Sequence, residues 1–374
     1  MGKKIIRAAT IGMSLNIFCK GFLRELADEG YEVIALSSPD DDLVELGKRE
    51  GVRTVGVSME RHMSLWKDFV SLIHLVGVFG KEKPDMVHSM TPKAGLLCMM
   101  AAWLARVPVR VHTFTGLVWP TATGLLRKIL ILTDKITCAC ATHVIPEGEG
   151  VKSDLQRFIT RKPMKVLGYG NVRGVDLAYW KRENLCAAHS SAALTFVFVG
   201  RIVREKGVNE LIPAFVKLHK EYPATHLVLV GPYEEGLDPV LPETQRLIEG
   251  CDAIQAVGTQ KDVRPFYENG DVLVFPSYRE GFPNVVIEAG AMGLPSIVTD
   301  INGSREIIIQ NENGVIIPPR DEGALYDAMK WMMEHQEIRE EMAKKARPMV
   351  AERYEQGFVR KCLKDYYREI LFEG

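Results

Sequence analysis

Two rhythms of apolar and polar residues alternate along this chain. Short apolar runs rich in β-branched residues are each followed by a longer stretch with apolar residues at helical spacing. In the first half the short runs are Ile5–Ile11, Tyr31–Leu36, Arg53–Val57, Met86–Ser89, Val109–Phe114 and His143–Pro146. Between them the pattern predicts helices over Ile17–Glu29, ended by Gly30, and over Leu65–Lys83, stopped by Pro84. Thr91-Pro92 opens another, with a capping residue and Pro at the first position. Thr123–Ala141 and Glu149–Ile159 complete the half. The rhythm then restarts. Leu194–Gly200, Leu227–Gly231, Ile254–Val257, Val272–Phe275 and Ser296–Thr299 read as strands, and Gly207–Tyr222 as a helix. Beyond Asp321 the chain is almost wholly helical, ending in Phe358–Phe372. The polar, Ala/Ser-rich stretch Lys181–Ala193 reads as a linker. Such alternation predicts an α/β protein with two doubly wound parallel sheets, each covered by helices on both faces.

Length agrees, since 374 residues exceed what one core usually serves. The net charge of −1 conceals an asymmetry: +6 over residues 1–180 and −7 over 181–374. A positive half suits an anionic partner, a membrane surface or a phosphate-bearing acceptor. The seven Cys residues are scattered without a Cys-x-x-Cys pair, which argues against a disulfide framework and a zinc site and fits a reducing cytosol. Met1-Gly2-Lys3-Lys4 runs directly into a strand, so no signal peptide is expected. The longest apolar run, Ala94–Ala105, stops at Arg106 and is too short to span a bilayer. Any membrane contact is therefore expected to be peripheral.

In open parallel sheets, ligands sit beyond the carboxyl ends of the strands. The most informative such segment is VLVFPSYREGFPNVVIEAGAMGLP, residues 272–295. A buried strand leads through Glu280-Gly281-Phe282-Pro283 into a helix starting near Asn284, with Glu288 inside it. The unpaired N–H groups of a helix start favour a phosphate. A carboxylate one turn further in favours hydroxyls instead, accepting their hydrogen bonds in a low dielectric. Glu280 and Glu288 thus suit the two ends of a nucleotide-sugar. The bland alternative is a helix-dipole acid and a solvated loop charge.

Glu280 and Glu288, spaced E-x7-E within this setting, resemble the retaining glycosyltransferases of family 4, which have the GT-B fold. GRIVREKG (200–207), Gly231 after its strand, GTQKDV (258–263) and Asn313-Gly314 extend the resemblance across most of residues 190–320. In the first half, TFTGL (113–117) and Gly174-Val175-Asp176 are similar to the branch that builds capsular polysaccharides and lipid-linked glycans. The resemblance implies a GT-B architecture with an inter-domain cleft. Residues 1–180 would form an acceptor domain and 190–355 a nucleotide-sugar domain, with 356–374 a C-terminal helix crossing back to the first. Arg201 and Lys206 match the basic pair on the diphosphate. Glu288 matches the residue holding ribose hydroxyls, and Glu280 the one touching the donor sugar. Phe282, Pro283, Asn284 and Val285 would line sugar and phosphate, and Gly258, Thr259 and Asp262 would frame the base.

The first half departs from the family pattern. Many relatives carry His just before the loop glycine where Thr115 stands here, and His112 lies three residues earlier. Either approaches the reacting centre on this reading, and His112 equally suits a satisfied sheet position. The loop Gly12-Met13-Ser14-Leu15-Asn16 lacks G-x-G-x-x-G, so a dinucleotide site is poorly supported. Gly12 would let substrate approach the backbone, and Ser14 and Asn16 would hydrogen-bond acceptor or sugar. Trp119 is a candidate for the acceptor groove. Asp40-Asp41-Asp42 contains an Asp-x-Asp, which helix capping explains better than a metal. Lys93, Arg106, Arg110, Arg127 and Lys128 would form a basic face toward anionic lipid.

The resemblance implies transfer of a hexose or N-acetylhexosamine from a nucleotide diphosphate-sugar, UDP by family analogy, to a glycan or polyprenyl-diphosphate acceptor. Configuration would be retained, with no metal, no other cofactor and no nucleic acid partner. The expected place is the cytoplasm, at the inner membrane face. A nucleotide-sugar epimerase, a non-catalytic sugar-nucleotide binder and an NAD-dependent oxidoreductase are the readings that compete with it.

Overall fold

A computed structural model describes residues 2–60, 64–182, 193–234, 236 and 238–373. The chain divides into two compact units, residues 1–174 with 357–374, and residues 175–356. Most of the expected linker, residues 183–192, lies outside the described residues.

Unit 1 contains strands β1 (Lys4–Ala8), β2 (Glu32–Ser37), β3 (Arg53–Gly56), β4 (Met86–Met90), β5 (Val109–Phe114) and β6 (His143–Pro146). They form one parallel sheet in the order β3-β2-β1-β4-β5-β6. Its helices are α1 (Gly12–Cys19), α2 (Phe22–Asp28), α3 (Asp41–Glu50), α4 (Leu65–Glu82), α5 (Pro92–Leu104), α6 (Gly124–Cys140) and α7 (Glu149–Phe158). Alternate strand residues serve opposite faces. Ile6, Ala8, Ile34 and Leu36 meet α4, α5 and α6 on one side, and Ile5, Ala9, Val33 and Ala35 meet α1, α2 and α3 on the other.

Unit 2 contains β7 (Leu194–Val199), β8 (Thr225–Val230), β9 (Ile254–Gly258), β10 (Val272–Phe275), β11 (Ser296–Thr299) and β12 (Gly314–Ile317). Their order is β12-β11-β10-β7-β8-β9, all parallel, so counted within the unit the topology of unit 1 repeats. The helices are α8 (Val208–Glu221), α9 (Pro242–Glu249), α10 (Arg264–Glu268), α11 (Asn284–Ala291), α12 (Ser304–Ile307), α13 (Glu322–Glu334) and α14 (Gln336–Tyr354). Both sheets are doubly wound, as the alternation of rhythms required. In each the strand order reverses once, between β1 and β4 and between β7 and β10.

Three sequence expectations need correction. The helix expected over Ile17–Glu29 is two helices, α1 and α2, because the Glu50 carboxylate takes the Gly21 and Arg24 amides at 2.9 and 3.3 Å and so caps a second start. The first domain ends at Gly174 rather than at residue 180. The Val175 amide bonds the Tyr354 carbonyl at 2.8 Å, and Val175 and Trp180 join the core of unit 2. Strand β12, only four residues long, escaped the pattern.

The last helix, α15 (Gln356–Arg368), places Leu363, Tyr366 and Tyr367 in the core of unit 1. Arg360 bonds Glu25 at 2.5 Å, and Lys364 bonds Glu25 and Glu29 at 3.1 and 3.0 Å. Beneath these pairs lies an unusual buried cation. Arg7 on β1 is 1% exposed, and its guanidinium meets the Tyr367 hydroxyl at 2.5 Å, the His88 Nδ1 and the Cys19 sulfur at 3.4 Å. His88 must present an unprotonated Nδ1 to that cation, so its Nε2–H donates to Thr113 Oγ1 at 2.7 Å. Burial and Arg7 together hold the His88 pKa well below its ordinary value. Removing one partner of a buried cation costs more than an average hydrogen bond. Tyr367→Phe is therefore expected to lower the unfolding free energy by about 1–3 kcal/mol, read as a shift in the urea midpoint at constant slope.

Candidate functional site

The reversal points of the two sheets are where loops part to leave room for a ligand. In unit 2 the loops after β7 and β10 meet there. The first carries Gly200, Arg201 and a single 3-10 turn, Arg204–Lys206, ending at Gly207. Gly207 has φ +73°, and a Cβ on it would collide with the Pro276 carbonyl, so only glycine lets the two loops touch. The second loop runs from Pro276 to Pro283, the N-cap of α11.

Ion pairs fasten the contact. Lys206 Nζ bonds Glu280 Oε1, which also accepts from Ser277 Oγ at 2.7 Å. The ammonium lies 5.4 Å from the Phe275 ring centroid, and both paired side chains are 16% exposed. Arg279 bonds Glu205 at 2.7 Å, and the Tyr278 amide bonds the Glu205 carbonyl at 2.9 Å. Tyr278 donates its hydroxyl to Glu210 at 2.6 Å, and burial beside that carboxylate raises the phenol pKa. Arg201 is half-exposed and paired with Glu234. The two cations expected on a diphosphate therefore each hold a carboxylate.

Glu288 lies on α11, 8% exposed. Its neighbours Val286, Ile287, Ala289 and Ala291 are at most 1% exposed, whereas Asn284, one turn earlier, is half-buried. Residues i and i+4 share a face, so Asn284 and Glu288 mark the side of the helix turned from the core. Phe282 and Pro283 are buried and Val285 is half-buried. Gly258 ends β9 at φ +67° with open space where a Cβ would be, and Thr259 is exposed. Asp262 also makes a local bond. Its carboxylate takes the Arg264 amide at 3.0 Å and the Arg264 guanidinium at 2.6 Å, so it shapes the start of α10. Asn313 likewise holds a turn, accepting the Ile309 amide at 2.8 Å.

Unit 1 needs more correction. Gly12 makes a close approach, but to α3: its amide donates to Asp40 Oδ2 at 2.9 Å, and a Cβ would strike the Asp40 carboxylate. Asp40 Oδ1 accepts the Leu43 amide at 2.8 Å and caps α3, as the capping reading expected. Asn16 donates to Asp42 at 3.1 and 3.2 Å, and so binds α1 to α3. Ser14 is half-buried on α1. Trp119 is 2% exposed, edge-on to Phe158 with centroids 5.1 Å apart, and is a core residue. Of the expected basic face, Lys93 pairs with Asp68 at 2.6 Å, and Arg110 bonds the Cys140 and Val107 carbonyls at 2.6 and 2.7 Å.

The expected helix cap at Thr91 is also different. Thr91 adopts φ +71°, rare for a β-branched residue, and makes no cap bond. Its hydroxyl bonds Thr10 Oγ1 at 2.8 Å and the Thr10 amide at 3.1 Å, across the reversal between β1 and β4. Strained backbone of this kind gathers at functional sites. Sequence reading gave Thr91 only a capping role and passed over Thr10, and nothing in residue type alone marks a positive φ.

Thr91 also lines a cavity of about 20 Å³ with His112, Thr115, Gly116 and Asp134. That is room for a water molecule. His112 is 2% exposed, bonds Ser89 Oγ through Nδ1 at 2.8 Å, and has its pKa lowered to about 3 by burial. It is therefore neutral at physiological pH. Asp134 on α6, unmarked by any motif, has its pKa raised to about 7, chiefly by burial. Thr115 is half-buried at the cavity wall. The structure thus brings His112 and Thr115 together and adds Thr91 and Asp134.

Among the described residues no three His, Cys, Asp or Glu side chains cluster to hold a metal, and no helix is long and apolar enough to cross a membrane.

Comparison with known proteins gives this geometry a family. Residues 188–349 match the model described as glycosyl transferases group 1, and residues 16–170 match the glycosyl transferase 4-like domain. Both halves of the chain thus match glycosyltransferase models, and the chain is a glycosyltransferase. It is 29% identical to the capsular polysaccharide biosynthesis glycosyltransferase CapM of Staphylococcus aureus, covering 100% of this chain and 98% of that one. It is 29% identical to an Escherichia coli UDP-Gal:alpha-D-GlcNAc-diphosphoundecaprenol alpha-1,3-galactosyltransferase, over 72% of this chain and 71% of that one. Among solved structures, Anabaena HepE in complex with UDP-glucose matches with a TM-score of 0.79 at 16% identity, covering 98% and 99% of the two chains. The two doubly wound units of this glycosyltransferase are those of the GT-B fold.

Asp134 supplies a test of the unit 1 cavity. Its carboxyl holds a proton in the folded state that it loses near pH 4 when unfolded, so the Asp134 contribution to stability falls as pH rises from about 4 to 7. Asp134→Asn should match wild type near pH 4 and exceed it by roughly 1–2 kcal/mol at pH 8, after discount for partial exposure. Chemical denaturation at both pH values measures this.

Proposed function

We propose that this glycosyltransferase moves a hexosyl or N-acetylhexosaminyl group from a UDP-sugar to a lipid-linked glycan acceptor, retaining anomeric configuration. One observation carries the reading. At the strand-order reversal of unit 2, Lys206 and Glu280 are held side by side, next to the start of the helix that bears Glu288. The names of CapM and of the Escherichia coli transferase support the capsular and lipid-linked acceptor class. The UDP-glucose bound to HepE supports the donor class.

The chemistry follows from what each group favours. The donor diphosphate lies against the amides that open α11, with Lys206 and Arg201 facing its oxygens. Glu288 accepts hydrogen bonds from the ribose hydroxyls, and Glu280 from the sugar. As the bond from the anomeric carbon to phosphate oxygen breaks, negative charge grows on the leaving UDP. Preorganised cations and amides stabilise that charge without reorganising. The acceptor hydroxyl attacks from the face the phosphate leaves, and its proton passes to a phosphate oxygen. Glu280 orients sugar and ammonium together and forms no covalent bond. Leaving-group charge is met by side chains on this reading, so chelators are expected to leave turnover unchanged.

Lys206→Ala should lower kcat by about 10²–10³-fold, the loss typical of one preorganised electrostatic group, with a smaller change in the donor KM. Glu288→Ala should instead raise the donor KM by roughly tenfold or more, as expected when a charge-assisted bond to the ribose is lost. Steady-state kinetics over a panel of nucleotide-sugars measures both. An unchanged donor KM in Glu288→Ala would refute the ribose assignment.

A further inference from the structure

The loop after β7 touches a second neighbour, the segment that follows β8. Gly231 there has φ +147°, and a Cβ on it would collide with the Gly200 carbonyl, so the two backbones run in contact. The Ile202 amide bonds the Pro232 carbonyl at 2.8 Å, and the Arg204 amide bonds the Asp238 carbonyl at 3.2 Å. This contact brings two further carboxylates to the turn that bears Arg201, Arg204 and Lys206. Asp238 accepts the Glu205 amide at 2.7 Å and Arg204 Nε at 3.1 Å. Glu234 bonds Arg201.

Charge at this reversal is balanced pair by pair. Arg201, Arg204, Lys206 and Arg279 face Glu234, Asp238, Glu280 and Glu205 in turn. A diphosphate entering such a set adds negative charge where every one of these cations already has a partner, so a carboxylate must give way. The four carboxylates are held unequally. Glu280 has both Lys206 and the Ser277 hydroxyl. Glu205 takes Arg279 through Nε at 2.8 Å and Nη2 at 2.7 Å. Asp238 holds a backbone amide, whose loss would undo the turn. Among the described residues Glu234 bonds Arg201 alone, and its side chain, 32% exposed, is the most open of the four. Ion pairs this open to water are weak, and a competing anion exchanges into them readily.

We propose that Glu234 is the exchangeable counter-ion of the donor site. It holds Arg201 in the empty protein, yields it to the entering diphosphate, and competes for it again when the product UDP leaves. The inference rests on the donor reading given above, in which Arg201 faces the diphosphate oxygens. Glu234 is a positioning residue, since it acts through Arg201. A carboxylate that competes with the product lowers the affinity for UDP and shortens its stay. A carboxylate that only braces Arg201 for the phosphate would raise that affinity. The sign of the effect separates the two roles.

The test titrates the full chain calorimetrically with UDP and with uridine, which lacks phosphate. Glu234→Gln keeps the shape of the side chain and removes its charge. It should lower the Kd for UDP by about three- to tenfold, the scale of one nearby charge partly screened by water, and leave uridine binding unchanged. Stopped-flow displacement should show most of the gain as slower UDP release. Glu234→Asp retains the charge and should stay within about twofold of wild type. In an Arg201→Ala background, Glu234→Gln should move the UDP Kd by about twofold or less, because the cation for which the two anions compete is gone. Tighter binding is a change that damage to the fold does not produce. Equal or weaker UDP affinity in Glu234→Gln, beside a wild type that binds UDP, would overturn this proposal alone. Failure of the wild type to bind UDP would overturn the donor reading, and this inference with it.

Discussion

The contact between the loops after β7 and β10 sets the geometry of everything proposed for unit 2. Parallel strands on either side of a reversal send their connections in opposite directions, so these loops would part without a tie. Gly207 lets the backbones touch, and the pairs Lys206–Glu280 and Arg279–Glu205 hold them together. The pairs lie partly shielded, where a charge-assisted bond is stronger than at an open surface. The same contact aims the start of α11 and fixes Lys206 over the Phe275 ring. Cations held beside carboxylates are neither free to wander nor fully neutralised. On the proposed donor reading, an entering diphosphate would meet groups already in place.

Unit 1 is built on the same topology but handles its reversal differently. There the link between β1 and β4 is the Thr10–Thr91 hydroxyl pair, obtained at the cost of a strained Thr91 backbone. Around it sit neutral His112, half-buried Thr115 and an acid that titrates near neutrality. The contrast is chemical. Unit 2 presents charge and amides at its reversal, while unit 1 presents hydroxyls, a neutral imidazole and one carboxyl whose pKa burial raises.

Much of this was legible in the chain. Strands buried on both faces leave continuous apolar runs, and their rhythm announced two doubly wound sheets. The E-x7-E spacing and the GRIVREKG segment pointed to residues that fold into one place, because they lie in the loops flanking a single reversal. What failed had physical reasons. The expected loop over Gly12–Asn16 is instead the start of α1, where Gly12 bonds Asp40, the cap of α3, and Asn16 bonds Asp42. Asp262 bonds Arg264 two residues away, a local contact that no family pattern displays. Trp119 and Asp134 are brought beside one cavity by the packing of α6 on β5, and Thr91 by a backbone angle. Such encounters across the fold leave no mark on residue spacing.

The buried guanidinium of Arg7 has a bearing on biosynthesis. It belongs to β1, yet its phenolic partner lies 360 positions later, after the whole of unit 2. While the chain is still growing, the amino-terminal sheet holds a cation whose final neighbour does not yet exist. The interior of unit 1 is therefore completed by a helix that the chain reaches only after unit 2.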